Sequence, residues 1–459
     1  MRPLPFLLAL GTASLLLGPA VARANPEPPA IYDARVMGMG GTALGTLDNA
    51  SALFHNPAQL DRVNRLSVTG VVTGLTVRLT GSFAGRGSEQ ESPLIFAPLI
   101  FAGGVVRVHD RVVLGGGAYI YTGFGGGFDR VDCVTAGLTQ SCDETPALRL
   151  DPPRSQTVRL FVAEFAVPVQ VSIIPDRLSL GVTFRLPYGN QSVSTDTLSP
   201  FSPEELTRAD QNVAGVGIPG ILAGLSYRPT DDLTLAVAYR SKVWIDMDGE
   251  TTTDIPLGFG FGPRATLATK TRWYVPHMLR VGFAQEFWND RITLAGEFRV
   301  QFHEEANREQ AFTLTSRDPN QTVRTTLNNS VPDTVARFDW RNVYLGNVGL
   351  EVLATDYLPV RLGFSLASSA SNPATMTAFS PPFGVQAAYY AGLGYRADKY
   401  TLDLGFSFST GNDATNAEDG ALCTPGTTNG DGTLTPTAGC SGTFDAVSYF
   451  LSVSASYNL

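Results

Sequence analysis

Apolar and polar residues alternate along most of this chain. Leu178, Leu180, Val182, Phe184 and Leu186 occupy one parity, while Ser179, Gly181, Thr183 and Arg185 occupy the other. Leu233, Leu235, Val237 and Tyr239 repeat the pattern against Thr234, Ala236, Ala238 and Arg240. Ile292, Leu294, Phe298 and Val300 oppose Thr293, Glu297, Arg299 and Gln301. Tyr400, Leu402, Leu404 and Phe406 oppose Thr401, Asp403, Gly405 and Ser407. Successive side chains of a strand point to opposite faces, so each segment predicts a strand with one apolar and one polar face.

Short Asp-containing turns at 109–111, 175–177, 230–232, 289–291, 355–357 and 397–399 each open a strand. Asp favours tight turns because its side chain bonds nearby backbone. Seven long polar stretches fall between and around them, near 82–95, 125–157, 195–212, 249–270, 304–341, 369–384 and 410–444. Six short turns alternating with seven long loops predict fourteen antiparallel strands. An even strand count, with short turns at one end and long loops at the other, is the plan of a bacterial outer-membrane β-barrel. A tandem of β-sandwiches would not segregate its loops by length in this way. The last strand supports the barrel: Val447, Tyr449, Leu451, Val453, Ala455 and Tyr457 alternate with Ser448, Ser452, Ser454, Ser456 and Asn458. It ends on Leu459, where such strands commonly end on an aromatic residue.

Composition then narrows the setting. Of 459 residues only 16% are charged, against about 25% in an average soluble domain. The net charge of −9 argues against nucleic acid, which needs a basic face to displace counterions. Arg2, the apolar run from Leu4 to Val21 and the small residues of Ala22-Arg23-Ala24 predict a signal peptide over 1–24. Pro5 and Gly18-Pro19 within the run favour its removal over retention as an anchor. Beyond it no run of 18 apolar residues remains, so no transmembrane helix is expected. The cysteines fall as Cys133 with Cys142 and Cys423 with Cys440, each pair inside one long loop. In an oxidising envelope that spacing favours two local, structural disulfides. Other connectivities remain open, and a zinc site is the alternative, though no His lies near either pair. His303 beside Glu304 is the only lumen-facing histidine near a carboxylate, and no nucleophile motif accompanies it, so neither an enzyme nor a cofactor is expected.

Residues 25–64 precede the first strand. Gly38, Gly40 and Gly41 permit tight turns and close backbone approach. Asp48 is placed to cap a short helical turn through Phe54, which Pro57 stops or restarts. This segment resembles the N-terminal plug of the FadL/TodX family of outer-membrane transporters for hydrophobic compounds and long-chain fatty acids. The likeness lies in Gly38-Met39-Gly40-Gly41, Asp48-Asn49-Ala50 and above all Asn56-Pro57-Ala58. Further matches are Leu225-Ser226-Tyr227-Arg228 leading to Tyr239-Arg240-Ser241-Lys242 and Asp246-Met247-Asp248-Gly249, and Val275-Pro276 before Leu279-Arg280-Val281-Gly282. Barrels that share the glycine and Asn-Pro-Ala elements but serve binding, secretion or assembly without transport form the alternative.

The resemblance implies an all-β, fourteen-stranded barrel over 65–459, closed by a plug over 25–64. It implies passive uptake: capture at the outer loops, passage past the plug and exit sideways through the wall into outer-membrane lipid. The barrel assembly machinery is the partner expected during biogenesis. In the third strand, Gly115, Gly116 and Gly117 are candidates for an inward kink that opens the wall, or for making room for the plug. A fatty-acid ligand would need a cation in an apolar pocket. Parity directs Arg185, Arg240, Lys242, Arg280, Arg299 and Arg361 to the lumen, with Glu297, Asp246 and Asp403 as partners. Arg240 and Lys242 are the candidate carboxylate ligands. Tyr119, Tyr121, Phe161 and Phe165 are the candidate pocket lining, although the apolar parity changes near Glu164.

Overall fold

The computed structural model describes residues 32–82, 89–131, 153–198, 206–254, 264–321, 324–325, 328, 334–372, 375, 379, 384–411, 414–415 and 443–459. The expected signal peptide and all four cysteines lie outside the described residues. Five strands lead the wall: β1 (Leu66–Ser82), β2 (Ile95–His109), β3 (Val112–Val131), β4 (Arg154–Ile174) and β5 (Leu178–Leu198). The next five are each in two pieces. These are β6 (Leu206–Val216 and Gly220–Tyr227), β7 (Leu233–Arg240 and Val243–Asp254) and β8 (Arg264–Val275 and Met278–Phe287). They continue with β9 (Ile292–Gln301 and Glu309–Ser316) and β10 (Thr334–Arg337 and Val343–Thr355). The wall ends with β11 (Leu358–Ser368), β12 (Val385–Arg396), β13 (Tyr400–Gly411) and β14 (Thr443–Asn458).

These fourteen strands pair antiparallel in chain order and close on themselves, as the turn and loop pattern predicts. β14 pairs with β1 from Ser67 opposite Asn458 to Thr80 opposite Asp445. The Arg65 amide donates to the Leu459 carbonyl at 2.7 Å, and the Leu459 amide donates to that of Leu66 at 2.8 Å. Closure matters because a bilayer core offers no water to an exposed strand edge. The short turns join β2 to β3, β4 to β5 and so on around one end. Several strands run farther into the long stretches than their polarity suggests, with β3 reaching Val131 and β4 starting at Arg154.

The outer face is apolar where the alternation predicts it: Leu235, Val237, Leu279, Val281, Phe283, Leu402, Leu404 and Phe406 are all exposed. Aromatic pairs mark both ends of this band. Tyr357 with Tyr395 and Tyr400 with Tyr457 lie near the short turns, and Phe364 with Tyr389 and Phe408 with Tyr449 lie toward the long loops. Such belts sit at the two membrane–water boundaries.

In β6 to β10 the alternation changes phase at one level. Below the break in β7, Thr234, Ala236, Ala238 and Arg240 face inward; above it, Val243, Ile245 and Met247 do. β8 changes likewise, from Met278 and Arg280 to Trp273 and Leu267, across Pro276-His277. Slipping the pairing by one residue sends every later side chain to the other face. This corrects two expectations. Asp246 faces outward and pairs with Arg272 at 2.6 Å. Lys242 sits in the break, its Nζ donating to the Glu305 carbonyl at 2.9 Å and lying 4.7 Å from the Tyr274 ring.

The plug sits inside the barrel, with almost all of its residues buried. It contains α1 (Ala34–Gly38), α2 (Ala52–His55) and a 3-10 turn, Pro57–Arg62. The expected cap by Asp48 is not formed: α2 starts after Ser51, and Asp48 is exposed beside Arg35 at 3.8 Å. Asp33 is the organising cap instead. It accepts from the Arg35 amide at 2.8 Å, from Asn49 Nδ2 at 2.8 Å and from Ser51 Oγ at 3.0 Å, tying α1 to the segment before α2. Pro57 does restart the chain as a 3-10 turn, capped by Asn56 Oδ1 accepting from the Ala58 amide at 3.1 Å.

Glycines on the inner wall let the plug backbone seat against it. A Cβ on Gly405 would come 2.6 Å from the Ala34 carbonyl, and one on Gly392 2.9 Å from Gly38 Cα. At Gly181, Gly224 and Gly363 it would overlap Pro57, Asn56 and Gly40. Two wall carboxylates then hold the plug. Glu351 accepts from Arg35 of α1 at 3.0 Å and from the wall residues Arg361 and Arg396 at 2.5 and 2.6 Å. Glu297 accepts from the Ala43 and Leu44 amides at 3.0 and 3.3 Å and from Arg280 at 2.7 Å.

Two outcomes follow from this docking. Glu351→Gln leaves three arginines short of their carboxylate, and breaking a buried pair costs roughly 3–5 kcal/mol. The plug should loosen while the wall assembles, read as protease cleavage within 32–63 at unchanged heat-modifiable mobility. His55, buried beside Arg280, donates Nε2–H to the Tyr32 carbonyl at 2.7 Å. Burial and then the Arg280 guanidinium lower its pKa from 6.5 to about 3. The folded state therefore takes up fewer protons than the unfolded one between those values, and stability falls as pH drops through that window. Protease resistance of the plug should decline from pH 6.5 downward, and less so in His55→Gln.

Candidate functional site

The lumen beside the plug is organised around Glu164 of β4. Its carboxylate accepts from Arg185 at 2.8 Å, from Arg240 and from the Tyr119 hydroxyl at 2.8 Å, and all four residues are buried. The Arg240 guanidinium also lies 3.9 Å from the Tyr121 ring and 5.5 Å from that of Phe54 in the plug. Phe54 meets Tyr32 and Tyr119 edge-on, both at 4.8 Å. The result is an aromatic shell around an ionic centre that carries more than one counter-charge for its glutamate. The space left beside it, between Phe54, Tyr121, Leu222, Arg240 and Met278, is only about 10 Å³. That is room for one water and no more.

Tyr119 and Tyr121 therefore face the lumen. Phe165 does not: it is 61% exposed on the outer face. Phe161 also projects outward and lines the wall cleft described below. In β4 the even positions Val158, Leu160, Val162, Glu164 and Ala166 all point inward, so the strand keeps one phase. The apparent change near Glu164 arises because the lumen here is apolar on both sides of one charged residue. That lone carboxylate inside an apolar strand was the sequence signal for the ionic centre.

The wall is not uniformly paired. β2 and β3 are bonded from His109 opposite Val112 up to Phe101 opposite Tyr119, and there the ladder stops. Above that point β2 pairs only with β1, and β3 only with β4. Pro98 in β2 lacks an amide hydrogen to offer across, and Tyr121 forms a bulge in β3 against β4. Between the separated strands lies a cleft of about 530 Å³, lined by Ile95–Leu99, Ile120, the glycines of 123–127, Leu160 and Phe161. Leu99 and Leu160 belong to the buried interior, whereas Phe96 and Phe161 are exposed outside, so the cleft cuts into the wall. Ile95 pairs with Val77, which pairs with Ser448 next to Tyr449. The cleft thus lies level with the aromatic belt on the long-loop side.

Gly115, Gly116 and Gly117 lie just below the cleft. They remain in register with Val105, Gly104 and Gly103 of β2. Toward β4 the ladder skips Gly115 and Gly116, which face Val167 and Pro168. Gly117 touches the plug, since a Cβ there would lie 3.0 Å from Leu53 Cδ2. Sequence reasoning missed the opening in the upper part of this region, where Pro98 of β2, Gly123 of β3 and Arg159 of β4 line one cleft. A proline in the middle of a strand was the available signal.

Residues 160–459 match the family described as outer membrane protein transport protein (OMPP1/FadL/TodX). No curated protein matches the sequence. Among solved structures, a Pseudomonas aeruginosa FadL homologue is similar at 17% identity and a TM-score of 0.67, covering 96% of this chain and 99% of its own. The Pseudomonas putida toluene transporter TodX is similar at 15% identity and a TM-score of 0.64, with 93% and 97% coverage. The Ralstonia pickettii toluene transporter TbuX follows at 15% and 0.61, with 93% and 98%. At these identities the structures speak for the shared barrel, while the sequence match carries the assignment. With a plug seated in a closed fourteen-stranded wall, this chain belongs to the FadL/TodX family of outer-membrane transport proteins.

Proposed function

We propose that this protein carries hydrophobic compounds passively inward across the outer membrane and releases them sideways through the cleft between β2 and β3. The observation that supports it most is the end of the β2–β3 ladder at Phe101 opposite Tyr119, beside the packed residues of the plug. A greasy ligand gains nothing from a water-filled channel, because burial of apolar surface is what makes its binding favourable. A gap in the wall hands it to lipid without crossing the plug. Gly115 and Gly116, unpaired toward Pro168, would let the upper part of β3 swing relative to its lower part.

The substrates that fit are long-chain fatty acids or compact hydrocarbons such as toluene, which the similar TodX and TbuX are named for. Outer-membrane lipid surrounds the aromatic belts, and the terminal strand β14 is the segment for the barrel assembly machinery to read. The reading needs no catalytic step, and His303 meets Asn307 and Gln301 through its ring nitrogens. Arg240 serves the Glu164 cluster and Lys242 the break in β7, so neither is assigned a ligand.

Gly123→Trp tests the route. A Cβ at Gly123 meets its neighbours only at ordinary distance, 3.7 Å from Leu99 Cδ2, so the strand accepts the side chain and the indole fills the cleft. Uptake of labelled hydrophobic tracer should fall at least about tenfold while the barrel assembles, since a bulky ring removes the space that the ligand occupies. Unchanged uptake with a properly assembled barrel would overturn lateral release.

A further inference from the structure

The cleft is apolar except at one rim. There Thr157 and Arg159 of β4 and Asp129 of β3 join the lining. Arg159 projects to the outer face, opposite Gly125 across the β3–β4 ladder. Its stem lies over that glycine: a Cβ added to Gly125 would come 3.2 Å from Arg159 Cγ and 3.1 Å from the Val158 carbonyl. Among the described residues no carboxylate forms an ion pair with Arg159. The contrast with the interior is sharp, because Arg185, Arg240, Arg280 and Arg361 each bond a buried glutamate.

We infer that Arg159 is a specificity-determining residue of this transporter, holding the carboxylate of an amphiphile whose hydrocarbon tail occupies the cleft. The inference rests on the lateral route proposed above. Arginine can bury its stem on apolar surface while its charged head stays at the water boundary. Its planar fork matches a carboxylate in two parallel hydrogen bonds. The bare outer face at Gly123, Gly125 and Gly127 is what lets the stem lie flat and the head reach the cleft. A volume of about 530 Å³ lies within the range of pockets that enclose small ligands. Asp129 works in the opposite sense: its charge at the same rim repels an incoming carboxylate.

Binding of radiolabelled palmitate and of neutral methyl palmitate to the detergent-solubilised full chain tests this. Arg159→Gln should weaken palmitate roughly fivefold or more, as expected for loss of a charge-assisted pair at a partly open site, and leave methyl palmitate within twofold. Arg159→Lys should restore part of the preference, and Asp129→Asn should strengthen palmitate alone. Equal effects on both ligands, or none, would overturn the assignment. Hexadecyl phosphate is the third arm. Arg159-dependent binding of it without any for palmitate would assign the residue to a lipid phosphate and overturn a carboxylate role. Gly123→Trp separates the two levels. If it abolishes binding of both ligands while Arg159→Gln changes neither, the cleft stands and only the inference fails. If it abolishes neither, the lateral route fails and takes the inference with it.

Discussion

Three buried glutamates organise the inside of this barrel. Glu164, Glu297 and Glu351 sit on β4, β9 and β10, and each draws arginines from neighbouring strands. An ionised group away from water is costly unless it is paired and hydrogen-bonded. That constraint makes the interior interdependent. Glu297 and Glu351 also bond the plug, so the wall cannot satisfy its own charges fully unless the plug is in place. The glycine seats at Gly181, Gly363 and Gly405 bring the plug backbone close enough for those bonds to form. Wall and plug are therefore coupled through these charges.

The tight packing around Glu164 has a consequence for transport. Around Glu164 the aromatic shell leaves space for a water at most, whereas the wall between β2 and β3 holds the larger cleft. A barrel normally excludes such a gap, because unpaired strand edges are costly in hydrocarbon. Here the gap lies at the level of the outer aromatic belt, where water is within reach. Pro98 removes one of the donors that would otherwise need a partner. Opening the wall at that height limits the backbone cost, and apolar side chains at the opening favour a greasy ligand.

Much of this was legible in the residues. Alternation, short Asp turns and long polar stretches specify strand number, strand direction and which face meets lipid, because a period of two leaves no other arrangement for Leu402, Leu404 and Phe406. The plug motif was legible through its glycines and Asn56-Pro57. Its capping was not, since Asp33 reaches Asn49 and Ser51 across a fold of the chain that local spacing does not encode. Parity also failed where strands break: Asp246 and Lys242 were assigned inward by extending the phase of Arg240 through Ser241.

The chain by itself thus determined a fourteen-stranded barrel, for side-chain period and turn chemistry are local properties, while the plug was legible only through the family resemblance of its motif. Which arginine is committed to a glutamate, and which stands ready at the cleft, was decided only by tertiary structure. Arg240 and Arg159 are both arginines in alternating strands. One points inward onto Glu164 and the other outward over Gly125, and the difference depends on strand phase and on what the strands alongside supply. Charge partners in a barrel come from across the ladder, and a ladder exists only once the ring has closed.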